Sequence, residues 1–267
     1  MPLWFRSFFF SLVLALAAVP FFGQTDPEAS LTQPARIAQA AQTDSTSSGG
    51  QTVGTGSVIQ TQTSGTSGQK ADALLLFRQG RDLDAAGKTD EAKALYVKSI
   101  AICDGEIAAD PRRMDAYAVK CWSLFRMNRH QDVIATGTTA LKIVFDARIV
   151  EAMGESYYFL GKDDLAIQSF TKYLESGQFG DRISTAYFFL GEIYLRMHKW
   201  SHADIAYTTA VKLEPSMARW WYRLGQVCEN LGDWRRAVDD YTKALSLSPG
   251  MQEATAGLAR AKAEATP

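Results

Sequence analysis

The side chains able to do chemistry are few, and their spacing decides what they can do. His198 and His202 stand at i and i+4, a separation that on one helix can hold a metal between two imidazoles. A metal site needs more ligands, none is near, and His198 falls where the pattern reads as a turn between helices. No metal site is therefore expected. His130 is isolated. The cysteines are Cys103, Cys121 and Cys228. Their spacing fits no zinc or redox motif, and their odd number leaves at least one thiol unpaired. Each falls where a helix wants a small apolar residue, so buried free thiols are expected. No G-x-S-x-G, phosphate-cradling glycine loop or Cys–His pairing occurs at a recognisable spacing, and the carboxylates are scattered over polar helix faces. The expectation is a protein that is not an enzyme, with no catalytic residue and no cofactor.

What remains is a large stock of aromatic rings, which helices must position. From Lys70 onward apolar residues recur at steps of three and four, without the alternation of strands. The stretch WWYRLGQVCENLGDWRRAVDDYTKALSLSP ends at Pro249. In it Trp221, Leu224 and Cys228 form one helical stripe, and Ala237, Tyr241 and Ala244 form another. Gly232 between them can take positive φ, and Asp233 can cap the second helix.

The same landmarks recur at a period of about 34 residues. Trp221-x2-Leu224-Gly225-x2-Cys228, Ala237-x3-Tyr241 and Pro249 answer to Tyr187-x2-Leu190-Gly191-x2-Tyr194, Ala203-x3-Tyr207 and Pro215. Val150-x2-Met153-Gly154-x2-Tyr157 with Ala166-x3-Phe170 fits without a closing Pro, and three additional residues near Gly177–Gly180 lengthen the connection that follows. Tyr117-x2-Lys120-Cys121-x2-Leu124 with Val133-x3-Gly137 is a degenerate copy. Leu76-x2-Gln79-Gly80-x2-Leu83 with Ala92-x3-Tyr96 is the first, its second helix lengthened by about two turns before Pro111.

This pattern resembles the tetratricopeptide repeat, W-x2-L-G-x2-Y, A-x3-F, P. The resemblance implies an all-α, right-handed superhelical solenoid over 70–265. It would have about five repeats, near 73–113, 114–146, 147–183, 184–217 and 218–251, and a capping helix at 252–265. Small residues, Gly225, Gly191, Gly154, Gly80 and Cys121, would let helices approach, and Trp221, Tyr241, Trp234, Tyr187, Tyr207, Trp200 and Phe170 would fill the core. In this family the first helices line a concave face. Helical spacing places Phe77, Arg81, Trp122, Phe125, Glu151, Glu155, Tyr158, Phe159, Phe188, Glu192, Leu195, Arg219, Tyr222 and Arg223 on it. An exposed aromatic strip of this kind marks an interaction surface. The residues depart from the Lys/Arg/Asn ring with which some relatives clamp a C-terminal carboxylate. An apolar groove with an acidic middle suits a protein or peptide segment with apolar anchors, or a small apolar ligand.

The formal net charge of −1 and the absence of long basic clusters argue against nucleic acid. Residues 1–23 have one basic residue, Arg6, followed by an apolar run that ends before Pro20. The run has the length of a signal-peptide core and falls short of the roughly 20 residues of a membrane span. It reads as a cleaved export signal or as an uncleaved anchor, in which case membrane contact comes through this segment alone. Residues 24–69 are rich in Ser, Thr, Gly and Gln and read as a disordered linker. The expected location is the periplasm or cell envelope.

Overall fold

The computed structural model describes residues 72–177 and 182–265. The proposed export segment and linker lie outside the described residues. Within them the chain is entirely helical: α1 (Ala73–Ala85), α2 (Thr89–Ala109), α3 (Met114–Arg126), α4 (His130–Leu141), α5 (Ala147–Phe159), α6 (Asp163–Glu175), α7 (Ile183–Arg196), α8 (Trp200–Leu213), α9 (Ala218–Leu231), α10 (Trp234–Leu247) and α11 (Gln252–Ala265). None of these helices is long and apolar enough to cross a membrane.

Each odd helix turns into the next even one through a single left-handed residue. Gly87, Gly161 and Gly232 hold φ of 75°, 67° and 73°, and the other two turns use Asn128 at 58° and His198 at 56°. At the last turn the Gly232 amide donates to the Glu229 carbonyl and the Asp233 amide to the Cys228 carbonyl, which satisfies the end of α9. The Asp233 carboxylate then accepts from the Arg236 amide at 3.2 Å and starts α10.

Helices of this length are marginal alone in water, so packing must hold them. Four hairpins use one device, in which a ring of the second helix lies flat on a glycine of the first. A Cβ on Gly80 would stand 2.6 Å from Tyr96, on Gly191 2.8 Å from Tyr207, on Gly225 2.7 Å from Tyr241 and on Gly154 3.0 Å from Phe170. All four rings are wholly buried. The α3–α4 hairpin departs from this pattern. Cys121 stands where the others have glycine and Gly137 where they have the ring. The vacated volume is taken by Met153 of α5, whose sulfur would lie 2.5 Å from a Cβ on Gly137.

The hairpins stack in chain order. Odd helices also approach one another, α1 to α3, α3 to α5, α5 to α7 and α9 to α11, and no pair of even helices does so to the same extent. The odd helices therefore lie on the inside of the curve. α2 runs to 21 residues, carrying Cys103 and Ile107 past the end of α1. The two ends of the stack are closed differently. On α1, Gln79 and Asp82 are exposed, at the places where α7 buries Leu190 and Ile193 and α9 buries Leu224 and Val227. α11 instead buries Ala254, Gly257 and Ala261 against α10 and leaves Gln252, Glu253 and Arg260 exposed, with Arg260 reaching back to Glu229 of α9 at 3.0 Å. Gly257 sits so close that a Cβ there would be 2.5 Å from Tyr241.

Candidate partner-binding groove

The odd helices bring most of the expected groove residues into contiguous groups. At the first hairpin the Arg81 guanidinium lies 5.8 Å from the Phe77 ring centre. Beside it Asp84 accepts from the Tyr96 hydroxyl at 2.6 Å and pairs with Arg126 at 3.4 Å. From α3 onward the rings form a continuous series. Trp122 meets Phe125 at 5.4 Å between ring centres, Phe125 meets Phe159 at 5.7 Å, and Phe159 meets Tyr158 at 5.2 Å. Tyr158 meets Phe189 at 4.9 Å, Phe189 meets Phe188 at 5.6 Å, and Phe188 stacks on Trp220 at 5.2 Å. Edge-to-face and offset pairs of this kind add to simple burial. Phe159 is 40% exposed, while Trp122, Phe125, Tyr158 and Phe188 are half-buried. His130, the first residue of α4, stacks on Phe159 with centres 5.1 Å apart and planes 9° apart. Burial lowers the His130 pKa, which keeps the imidazole neutral and compatible with the rings around it.

The three carboxylates expected at the middle of the groove lie beneath its surface, with Glu151 4%, Glu155 2% and Glu192 9% exposed. Each is matched by an arginine from a following element. Arg182, at the N-terminal edge of α7, reaches back across α5, with Nε 2.6 Å from Glu151 and Nη2 2.5 Å from Glu155. Its guanidinium lies 4.9 Å from the Trp122 ring centre. Glu192 accepts from the Tyr207 hydroxyl at 2.6 Å and the Tyr158 hydroxyl at 3.4 Å, and Arg223 Nε lies 2.7 Å from it. Burial pushes the Tyr158 pKa up to about 12 and that of Tyr207 well above the usual phenol range, so both remain donors. The groove surface is thus formed by rings and arginines, with the carboxylates as a buried layer that orients them.

The other expected residues lie toward the C-terminal end. Tyr222 packs on Tyr241 with centres 5.9 Å apart and has the Arg223 guanidinium 6.0 Å from its ring centre. Leu195 packs, partly buried, into the core around α8–α11. Arg219 is exposed. Four residues of the groove were not singled out from sequence: His130, Arg182, Phe189 and Trp220. The signal for Trp220 was present, since it lies one turn before Leu224 and two before Val227 on the stripe facing α7. Trp220 is buried, whereas Trp221 is half-buried with its Nε1 donating to the Pro215 carbonyl at 2.9 Å. Tyr207, Tyr241 and Phe170 are wholly buried as expected, while Tyr187, Trp200 and Trp234 are only half-buried at the edges of the core.

The residues first considered for chemistry fall elsewhere. The three cysteines are buried free thiols. Burial pushes Cys103 and Cys121 up to about 12, far from thiolate reactivity at neutral pH. The His198 ring packs against Trp200 at 4.9 Å and the His202 ring against Tyr194 at 5.2 Å, so the pair faces different neighbours.

Residues 218–251, the α9–α10 hairpin and the turn after it, match the family model of the tetratricopeptide repeat. This hairpin is a tetratricopeptide repeat. Solved structures share the fold. A thermophilic TPR protein of Thermus thermophilus is 17% identical, with 72% of this chain and 99% of that chain covered and a TM-score of 0.52. MamA is 19% identical, with 65% and 96% covered and a TM-score of 0.50. YrrB, described as a TPR protein with an unusual peptide-binding site, is 16% identical, with 69% and 91% covered and a TM-score of 0.48. A search of curated protein sequences finds no match. At these identities the likeness is one of tetratricopeptide-repeat architecture, and the rings and arginines of the groove are read from this chain alone.

Proposed function

We propose that this protein is a non-catalytic scaffold whose odd-helix face holds a segment of another protein. The observation that carries the reading is the unbroken series of rings from Trp122 to Trp220 along the inner side of the stack. Trp122, Phe125, Phe159, Tyr158 and Phe188 stay partly exposed over the buried rings of Phe189 and Trp220, and a cluster of partly exposed rings is a feature of interaction sites. Rings spread over several repeats suit an extended or helical segment presenting apolar side chains at intervals, because each hairpin can receive one anchor. The tetratricopeptide-repeat fold supports this reading, since stacked hairpins supply an extended concave surface. The apolar segment at 1–23 and the polar stretch at 24–69 support an exported protein tethered in a bacterial envelope.

The test is affinity capture from envelope extracts with the full chain and with a Trp122→Ala/Phe159→Ala/Phe188→Ala variant. Loss of specific partners from the variant, with its helical circular dichroism unchanged, is the expected result. Identical partners for both proteins remove the groove from the function. A small apolar molecule retained in native mass spectra of the intact protein, and lost from the variant, redirects the reading to ligand carriage. Sequencing the N-terminus of the mature protein settles the export step separately.

A further inference from the structure

The Arg182 contact has the composition of a recognition site. A guanidinium is planar, carries its donors in the plane and stacks on aromatic faces, so its receptor combines a flat ring with acceptors at the plane's edge. Trp122 of α3 supplies the ring, 4.9 Å from the Arg182 guanidinium carbon. Glu151 and Glu155 of α5, one helical turn apart on the same face, supply edge acceptors at 2.6 and 2.5 Å. Both carboxylates are buried, which is costly unless a cation remains with them.

The occupant comes from outside the repeat framework. Arg182 ends the connection 176–182, the longest between helices of the stack, and precedes α7 without making a side-chain cap to it. When the hairpins are aligned on Cys121, Gly154, Gly191 and Gly225, the place of Arg182 is taken by Phe145 in the third hairpin, Ser216 in the fifth and, in the second, by Arg112, which is left exposed. The arginine therefore answers to this pocket and not to a rule of repeat packing. Its side chain is 16% exposed, so the group sits at the lip of the groove, within reach of a partner.

We infer that Trp122, Glu151 and Glu155 form a receptor for a guanidinium group, that Arg182 fills it in the free chain, and that an arginine of the bound partner takes its place. The last step rests on the groove reading above; the receptor does not.

Chemical rescue tests the receptor without any partner. In the full chain, Arg182→Ala lowers Tm by about 10 °C, because two buried carboxylates lose the guanidinium that pairs with both. Ethylguanidinium at millimolar concentration restores about half of that loss, and ethylammonium at equal ionic strength restores little, because an ammonium lacks the planar fork. The wild type responds to neither, and Arg182→Ala combined with Glu151→Gln and Glu155→Gln responds to neither. Equal rescue by both cations, or rescue by none, overturns the receptor. If the alanine variant does not fold, Arg182→Gln serves in its place. With a partner captured as proposed above, Arg182→Gln binds it about tenfold more tightly once the internal competitor is gone; unchanged or weaker binding removes the exchange step and leaves the receptor standing.

Discussion

The α9–α10 hairpin and the α3–α4 hairpin solve one packing problem with opposite parts. In α9–α10 a glycine of the first helix receives Tyr241 of the second. In α3–α4 the first helix carries Cys121, the second carries Gly137, and the missing ring is replaced by Met153 from the hairpin that follows. What the fold requires is a filled volume at that place, and a neighbour can supply it. The cost is independence. α9–α10 supplies its own ring at that place, whereas α3–α4 is filled there only with α5 docked.

Breaking the regular device has the largest expected effect. Tyr207→Ala in α8, which follows the α9–α10 pattern, removes a wholly buried ring and the hydroxyl that Glu192 accepts, and should cost about 3–5 kcal/mol in urea unfolding. Imposing the regular device on the exception comes next. Gly137→Phe alone collides with Met153 and should cost about 2–3 kcal/mol. Adding Met153→Ala should recover about 1–2 kcal/mol of that as favourable coupling in a double-mutant cycle. If the two changes are simply additive, Met153 is not the stand-in for the ring.

A third prediction concerns pH. Asp240 of α10 is buried, with the Cys228 thiol 3.3 Å away, and α4 has the uncharged Thr136 at the matching place. Burial raises the Asp240 pKa from 3.8 to about 6. The folded chain therefore holds a proton between those values that the unfolded chain releases. This group's contribution is fully present below the unfolded pKa and is lost as pH rises through the folded one. Asp240→Asn should raise stability by about 2 kcal/mol near neutral pH and leave it unchanged near pH 4. Hydrogen exchange should place the difference in α9–α10 and not in α3–α4. The smallest effect is at the turns. His198 holds the left-handed conformation that glycine holds in three other hairpins, and His198→Gly should add about 0.5–1 kcal/mol, read from Tm.

The all-helical repeat was legible because its signals are local. Gly225 with Tyr241, and Gly191 with Tyr207, stand at fixed separations within one hairpin, and Gly232 marks its own turn. The depth of each groove residue was not legible, because it depends on the hairpin that comes next. Glu151 and Glu155 fall on a surface stripe of α5 taken alone, and it is Arg182 of the following element that covers them. Trp220 and Trp221 differ by one position in the chain, yet Trp220 falls on the side of α9 that packs on Phe188 and the α8 core while Trp221 falls on the side that reaches the Pro215 carbonyl. The degenerate second copy was visible as a missing ring, but its replacement lies beyond the repeat and carries no sequence mark of its own.

The polar edge of α1 sets where the stack can be lengthened. A duplicated hairpin placed ahead of α1 would have to bury Gln79 and Asp82, whereas one copied into the interior meets apolar faces on both sides. An added repeat is therefore accommodated at lower cost inside the stack than ahead of α1.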